Sequence, residues 1–295
     1  MYSGNEQIQF FEQILFIHLG KDTPIKSLDF VSGGCINNAV RLQTTEGDFF
    51  VKWNVQELDG MFEAEARGLQ ILKQSGEIYV PEVLATGKQE DKAYILMEYI
   101  SSTLPHKDFW EDFGRSMAYL HKHSQAYFGL DFNNYIGSLP QNNEPMGDGL
   151  AFFIEKRLRV QAGLAYYQGH IDRDLLDQLS RFYDLLPDLL PISEKPALLH
   201  GDLWSGNFLV NELGKATLID PATYYGWREA ELAFTRLFGG FESRFYEAYQ
   251  EVYPLEKDFE KRVEIYNLYP LLVHLNLFGS SYREMIERII KKFLN

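Results

Sequence analysis

Residues 198–210 read LLHGDLWSGNFLV: an acid, Asp202, and an amide, Asn207, stand five residues apart in a glycine-containing bend between two apolar runs. The runs that follow, FLV and ATLI, are joined by the polar NELGK and end at Asp220–Pro221. That pattern predicts a hairpin, which brings a second acid back beside the amide 13 residues before it. Taken alone, HGDLWSGN also fits a turn whose aspartate caps a helix. With Asp220 beside it, the segment gathers three oxygen-bearing side chains suited to a hydroxyl and a hard cation.

This acid–amide–acid layout is the one by which kinases orient an acceptor hydroxyl and hold Mg²⁺ on the phosphates of ATP. Asp202 then takes the hydroxyl's proton, and Asn207 and Asp220 are the metal ligands. The other half of such a site is legible upstream. Lys52 lies in FFVKWN, the third β-type run, where on an edge strand it would simply be solvated. Glu65 follows in FEAEARGL on a helical pattern, in the order needed for a lysine–glutamate pair that holds the α- and β-phosphates. Glu63 competes for that role, but the two are about 200° apart around a helix, so only one faces the lysine. SGGCINN, at 32–38, lacks the full G-x-G-x-x-G spacing and reads as a plain hairpin turn or as a phosphate loop. In the second case Gly33 and Gly34 let backbone N–H groups approach a phosphate. YILMEYI would end in a hinge where the backbone of Glu98 and Ile100 meets adenine, with Met97 facing the pocket or filling core.

Working outward, the periodicity changes near residue 100. Residues 5–19 show one apolar helical face, and β-type runs at 25–31, 37–44, 48–54, 81–87 and 93–100 surround a helical pattern at 57–74. Beyond them, helical patterns cover 105–123, 149–168, 171–186, 229–252 and 256–292, with loops at 138–149 and around Pro187, Pro191 and Pro196. The expected fold is α+β, two-lobed and protein-kinase-like. Residues 1–100 form a nucleotide-binding lobe with a small five-stranded antiparallel sheet, and residues 101–295 a larger, mainly helical catalytic and substrate lobe.

Composition narrows the partners. The chain has 295 residues, 45% hydrophobic and 24% charged, an ordinary globular balance. A formal charge of −14 argues against a nucleic-acid-binding surface, which needs a basic stripe. Cys35 is the single cysteine, so no internal disulfide can form, which fits a reducing, cytoplasmic setting. MYSGNEQIQF lacks the charge and apolar pattern of a signal peptide. The apolar stretch LYPLLVHLNLFG, at 268–279, is shorter than the roughly 20 residues a membrane span needs. His121 and His123 are two apart on a helical pattern and diverge, so they are read as packed or solvated; His200 is read as a packing and hydrogen-bonding residue of its loop.

The segments SGGCINNA, FFVKWN, EAEARGL, LLHGDLWSGNFLV, LIDPATYYGWREAELA and LYPLLVHLNLFG together resemble the fructosamine/ketosamine-3-kinase family, which is related in fold to aminoglycoside and choline kinases. The resemblance runs over essentially the whole chain. It implies ATP- and Mg²⁺-dependent phosphorylation of the 3-hydroxyl of a ketosamine (a ribulosamine, erythrulosamine or fructosamine adduct), with deglycation of the amine as the consequence. It also makes Trp204, Tyr225, Trp227 and Arg228 candidate substrate contacts. Members commonly carry histidine where this chain has Trp227, and aspartate where it has Glu231. Some members use a cysteine in this loop for redox-sensitive dimerisation, which implies a redox role for Cys35 in a possible homodimer; read from its residues alone, Cys35 fits inert hairpin packing as well. Two rivals remain: a phosphotransferase for an aminoglycoside, choline or another amino alcohol, and a catalytically silent kinase-like binding protein.

Overall fold

The computed structural model describes residues 4–31, 37–55, 58, 60–191 and 193–294. Strands β1 (Ile25–Phe30), β2 (Asn38–Thr44), β3 (Asp48–Asn54), β4 (Val83–Gln89) and β5 (Lys92–Glu98) form one antiparallel sheet, in the order β1-β2-β3-β5-β4. Alternation along the strands sorts its two faces. Phe49, Val51 and Trp53 of β3 join Val40 and Leu42 of β2 beneath helix α1 (Gly4–Leu19), which contributes Phe10, Phe11, Ile14 and Leu15. Phe50 and Lys52 therefore face the opposite side, toward α2 (Met61–Ser75) and the rest of the molecule. Because β3 is an interior strand and Lys52 is only 7% exposed, the solvated-edge reading of this lysine does not hold.

The remaining chain is mainly helical. It runs through α3 (Phe109–Leu120), then α4 (Gly149–Phe152), which continues by a π-helical turn (Phe153–Leu158) into α5 (Arg159–Tyr167). After these come α6 (Arg173–Tyr183), α7 (Leu186–Leu189), α8 (Arg228–Leu237), α9 (Ser243–Val252), α10 (Phe259–Phe278) and α11 (Arg283–Leu294). Helix α10 is apolar nearly all round, as a helix buried among α5, α8 and α11 must be. Three short antiparallel ribbons fill the side facing the sheet. They pair β6 (Asn134–Ile136) with β7 (Leu139–Gln141), β8 (Ala197–Leu199) with β11 (Tyr224–Gly226), and β9 (Phe208–Val210) with β10 (Ala216–Leu218). No helix among the described residues is long and apolar enough to cross a membrane.

The helical patterns at 229–252 and 256–292 are each two helices. Gly239 and Gly240 (φ 73° and 98°) and Gly279 (φ 90°) adopt conformations that a right-handed helix cannot contain. Helix α2 spans Met61–Ser75, and residue 57, where the helical pattern begins, lies outside the described residues. Gly33, Gly34 and Cys35 lie outside the described residues.

Three of the four candidate substrate contacts, Tyr225, Trp227 and Arg228, are packed away from the cleft. The Trp227 ring is 3% exposed and lies edge-on or tilted against Phe128, Phe153 and Tyr266, inside the helical core. Arg228 is 2% exposed, bonded through Nε to Glu194 at 2.5 Å and through its Nη atoms to the carbonyls of Tyr253 and Pro254. Neither side chain faces the cleft. Tyr225 pairs its backbone with Gly129 and packs its ring on the same core, also away from the cleft.

This packing generates a prediction. Trp227→Ala should lower the unfolding free energy by about 3–5 kcal/mol, the usual cost of emptying a buried aromatic site. Trp227→Phe should cost much less, because the indole Nε1 is buried with no hydrogen-bond partner among the described residues to lose. Urea unfolding of both variants measures this; an unchanged midpoint for the alanine variant would contradict the packing role.

Candidate active site

The bend after β8 is shaped by its own sequence. Gly201 has φ 88°, and a Cβ there would fall 2.1 Å from the carbonyl oxygen of Ala222, so only glycine fits before Asp202. The Trp204 ring lies over Gly206, where a Cβ would meet it at 2.3 Å. Within this bend Asn207 Nδ2 donates to Asp202 Oδ2 at 2.9 Å and to the Asp202 carbonyl at 2.8 Å. The amide's carbonyl end is thereby turned away from Asp202. His200 Nε2 donates to the Ile219 carbonyl at 2.8 Å, and its Nδ1 accepts from the Asp202 N–H, so this histidine ties the bend to the segment between β10 and Asp220.

Three elements meet at Lys52. Its Nζ donates to Glu65 Oε1 on α2 at 2.6 Å and to Asp220 Oδ1 after β10 at 2.5 Å. Glu65, not Glu63, is thus the partner. Burial opposes the ammonium charge, but Asp220 and Glu65 outweigh it and hold the lysine pKa above its ordinary value. Asp220 has φ 56°, a left-handed conformation uncommon for a residue with a side chain, and the ion pair keeps it there.

These groups line one cleft of about 600 Å³ between the sheet and the helical part. Lys52, Glu65, Asp202, Asn207 and Asp220 stand on its walls with Trp204. Met97, Glu98 and Ile100 line its hinge end; the Glu98 N–H is engaged by the Glu82 carbonyl at 3.0 Å. Enclosure by the cleft walls pushes the Asp202 carboxyl well above the ordinary aspartate range, against the hydrogen bond from Asn207; the charges of Asp220 and Glu231 add to the push. A carboxylate so raised is a better proton acceptor. For a cation, Asn207 and Asp220 present a carbonyl and a carboxylate oxygen, hard donors that suit Mg²⁺. Among the described residues no cluster of three or more His, Cys, Asp or Glu forms a protein-only metal cage.

Glu231 and His121, which sequence reasoning did not place at the site, brace it from beneath. Buried Glu231 accepts the N–H groups of Gly201 at 2.6 Å and His200 at 3.1 Å, the two residues before Asp202. His121, at the end of α3, bonds Glu231 through Nε2 at 2.9 Å and Tyr249 through Nδ1 at 2.8 Å. Against the cost of burial, these donors hold the Glu231 pKa below its ordinary value. His274, from α10, also lines the cleft, next to Phe278. The spacing of His121 and His123 gives no hint of the brace, because the His121 partner Glu231 lies 110 residues away.

Comparison with known proteins agrees with this geometry. The family model described as "Fructosamine kinase" matches residues 8–295. A candidate ketoamine kinase of Enterococcus faecium is 38% identical over 264 residues, covering 89% of this chain and 94% of the relative. The chloroplastic protein-ribulosamine 3-kinase of Arabidopsis thaliana is 38% identical over 291 residues, covering 93% and 85%. The crystal structure of a candidate fructosamine-3-kinase from Haemophilus somnus superposes with a TM-score of 0.87 at 30% identity, over 97% of both chains. An aminoglycoside phosphotransferase, at 16% identity and a TM-score of 0.65, shares the fold. With its protein-kinase-like architecture and its match over nearly the whole length, the chain belongs to the fructosamine kinase family.

Proposed function

We propose that this ATP-dependent kinase phosphorylates the 3-hydroxyl of ketosamines, using Mg²⁺, with residues 1–100 as the nucleotide lobe and 101–295 as the catalytic and substrate lobe. The observation that carries the reading is the convergence of Asp202, Asn207, Asp220 and the Lys52–Glu65 pair on one cleft. The acceptor oxygen attacks the γ-phosphorus as its bond to the β–γ bridging oxygen breaks, so that ADP leaves and the hydroxyl proton passes to Asp202. Lys52, steadied by Glu65, orients the non-transferred phosphates. Asn207 and Asp220 would hold Mg²⁺, which when bound neutralises phosphate charge. The backbone of Glu98 and Ile100 meets adenine at the hinge, and Trp204 offers its ring to the acceptor. The relatives named for ketoamine and ribulosamine phosphorylation support this acceptor class, and a single cysteine supports a cytoplasmic setting.

The deciding experiment offers ATP with ribulosamine, erythrulosamine and fructosamine adducts beside an aminoglycoside, and reads the phosphorylated position by NMR. Transfer to the 3-hydroxyl of at least one ketosamine is expected; transfer to the aminoglycoside alone would replace the reading with that of an aminoglycoside phosphotransferase.

Two variant sets test the roles. Asp202→Asn should lower kcat by about 10²- to 10⁴-fold while leaving nucleotide affinity nearly unchanged. Asp220→Ala should weaken Mg·ATP binding as well, and equal, modest effects from both would contradict the assignment.

Glu231→Gln places an amide against two backbone N–H donors. It should lower kcat by about 10-fold or more with little effect on the KM for ATP, and lower stability by about 1–3 kcal/mol. Steady-state kinetics with thermal melting checks it, and unchanged kcat would show that the brace is dispensable.

A further inference from the structure

The helix that carries Glu65 rests on the helical part of the molecule through a residue without a side chain. Gly68 follows Glu65 by three positions, on the adjoining face of α2, and is buried. A Cβ added there would meet Thr223 Oγ1 at 3.2 Å, Thr223 Cβ at 3.4 Å and Pro221 Cγ at 3.7 Å. Pro221 and Thr223 stand one and three positions after Asp220, so the backbone of α2 lies against the segment that delivers this carboxylate to Lys52. That segment has little room to retreat: Thr223 is fully buried, and its carbonyl accepts Asn134 Nδ2 at 2.8 Å. Its Oγ1 has no hydrogen-bond partner among the described residues, so the contact with α2 is one of shape. The neighbouring Arg67 adds a second anchor. Its guanidinium carbon lies 3.6 Å from the centroid of the Phe132 ring, and Nη2 is 3.4 Å from Asp131 Oδ2.

Glycine inside a helix is unfavourable relative to alanine, and one at such a position calls for a packing or functional reason. We propose that Gly68 is a positioning residue for the nucleotide-phosphate site. Its missing side chain sets how deeply α2 sits on Pro221–Thr223, and that depth fixes the reach of Glu65 to Lys52 and of Lys52 to Asp220. The inference rests on the reading of these three as phosphate-side residues. An alanine at 68 must push Thr223 aside or lift the helix by a few tenths of an ångström, and the branches of a valine by more. Either displacement stretches an ion pair whose two contacts are 2.6 and 2.5 Å.

The test is MgADP binding by calorimetry, with thermal melting, for Gly68→Ala, Gly68→Val, Thr223→Ala and the Gly68→Ala/Thr223→Ala double variant. MgADP binding needs no acceptor, so an error in the acceptor class leaves this test intact. Gly68→Ala should bind MgADP about 3- to 10-fold more weakly, and Gly68→Val about 10²-fold, the order of loss that a small misplacement brings. Because alanine favours the helix, Gly68→Ala should melt no lower than the wild type, which separates misplacement from a fold defect. Thr223→Ala removes the 3.2 Å contact and should return the double variant to within about twofold of Thr223→Ala alone, the signature of two coupled positions. Gly68→Val binding within twofold of the wild type would overturn the proposal. So would a loss that Thr223→Ala does not relieve, or one that Gly68→Ala shows only with a lower melting temperature. Absence of MgADP binding by the wild type would overturn both this proposal and the nucleotide reading beneath it.

Discussion

One ammonium group holds the site together. Lys52 stands on an interior strand, Glu65 on the helix that follows, and Asp220 at the end of a ribbon 168 residues on; a single nitrogen bonds both acids. Charges this enclosed are costly unless paired, so the lysine in effect requires α2 and the Asp220 segment to close on it. The pairing gives the interface between sheet and helices one fixed register. Removing either acid would leave the lysine half-satisfied, a loss larger than the net worth of the contact itself.

The acceptor side is built differently. Asp202 is positioned by backbone groups: its bend is drawn down by Glu231 through two N–H groups and tied sideways by His200 to Ile219. Since Glu231 also receives His121, the bend rests on α3 and α8 together. Among the described residues such a brace leaves Asn207 as the side-chain partner of the Asp202 carboxyl, and under the proposed reading its other lone pairs would receive the acceptor hydroxyl.

The parts of this arrangement legible in the sequence are those whose spacing is set by local geometry. The acid and amide five apart, the acid after the next hairpin, and a lysine in a β-run followed by a helical glutamate all have short-range signatures. The β-runs are legible because they are short, rich in β-formers and bounded by turn signals, and β2 alternates cleanly between buried and half-buried positions. Trp227 and Arg228 were misread because an aromatic and a cation beside an acidic motif look the same in sequence whether they face a cleft or a core. Distant segments decide which: Phe128, Phe153 and Tyr266 enclose the Trp227 ring, and Glu194, Tyr253 and Pro254 hold the Arg228 guanidinium. The helical patterns at 229–252 and 256–292 each span two helices, because the apolar period resumes beyond Gly239–Gly240 and Gly279, glycines whose positive φ ends the first helix of each pair. The roles of Glu231 and His121 were hidden for a similar reason, since each acts through a distant backbone or side chain.

Charge in the cleft adds a constraint on what can enter it. Among the described residues that line it, Lys52 is the one full cation, against Glu65, Glu98, Asp202 and Asp220. A bare polyphosphate would meet net negative potential there, and at close range inside a partly enclosed site the repulsion is poorly screened. Lys52 is moreover already shared between two carboxylates, so it has little uncompensated charge to offer. Under the proposed reading, a nucleotide entering as a complex with divalent cations would bring the balancing charge with it, and Asp220 would be among the residues that hold the cation. The acids that make the site unfavourable for a free anion are the ones that suit the complex, and a cationic amine on the acceptor would meet the same favourable field.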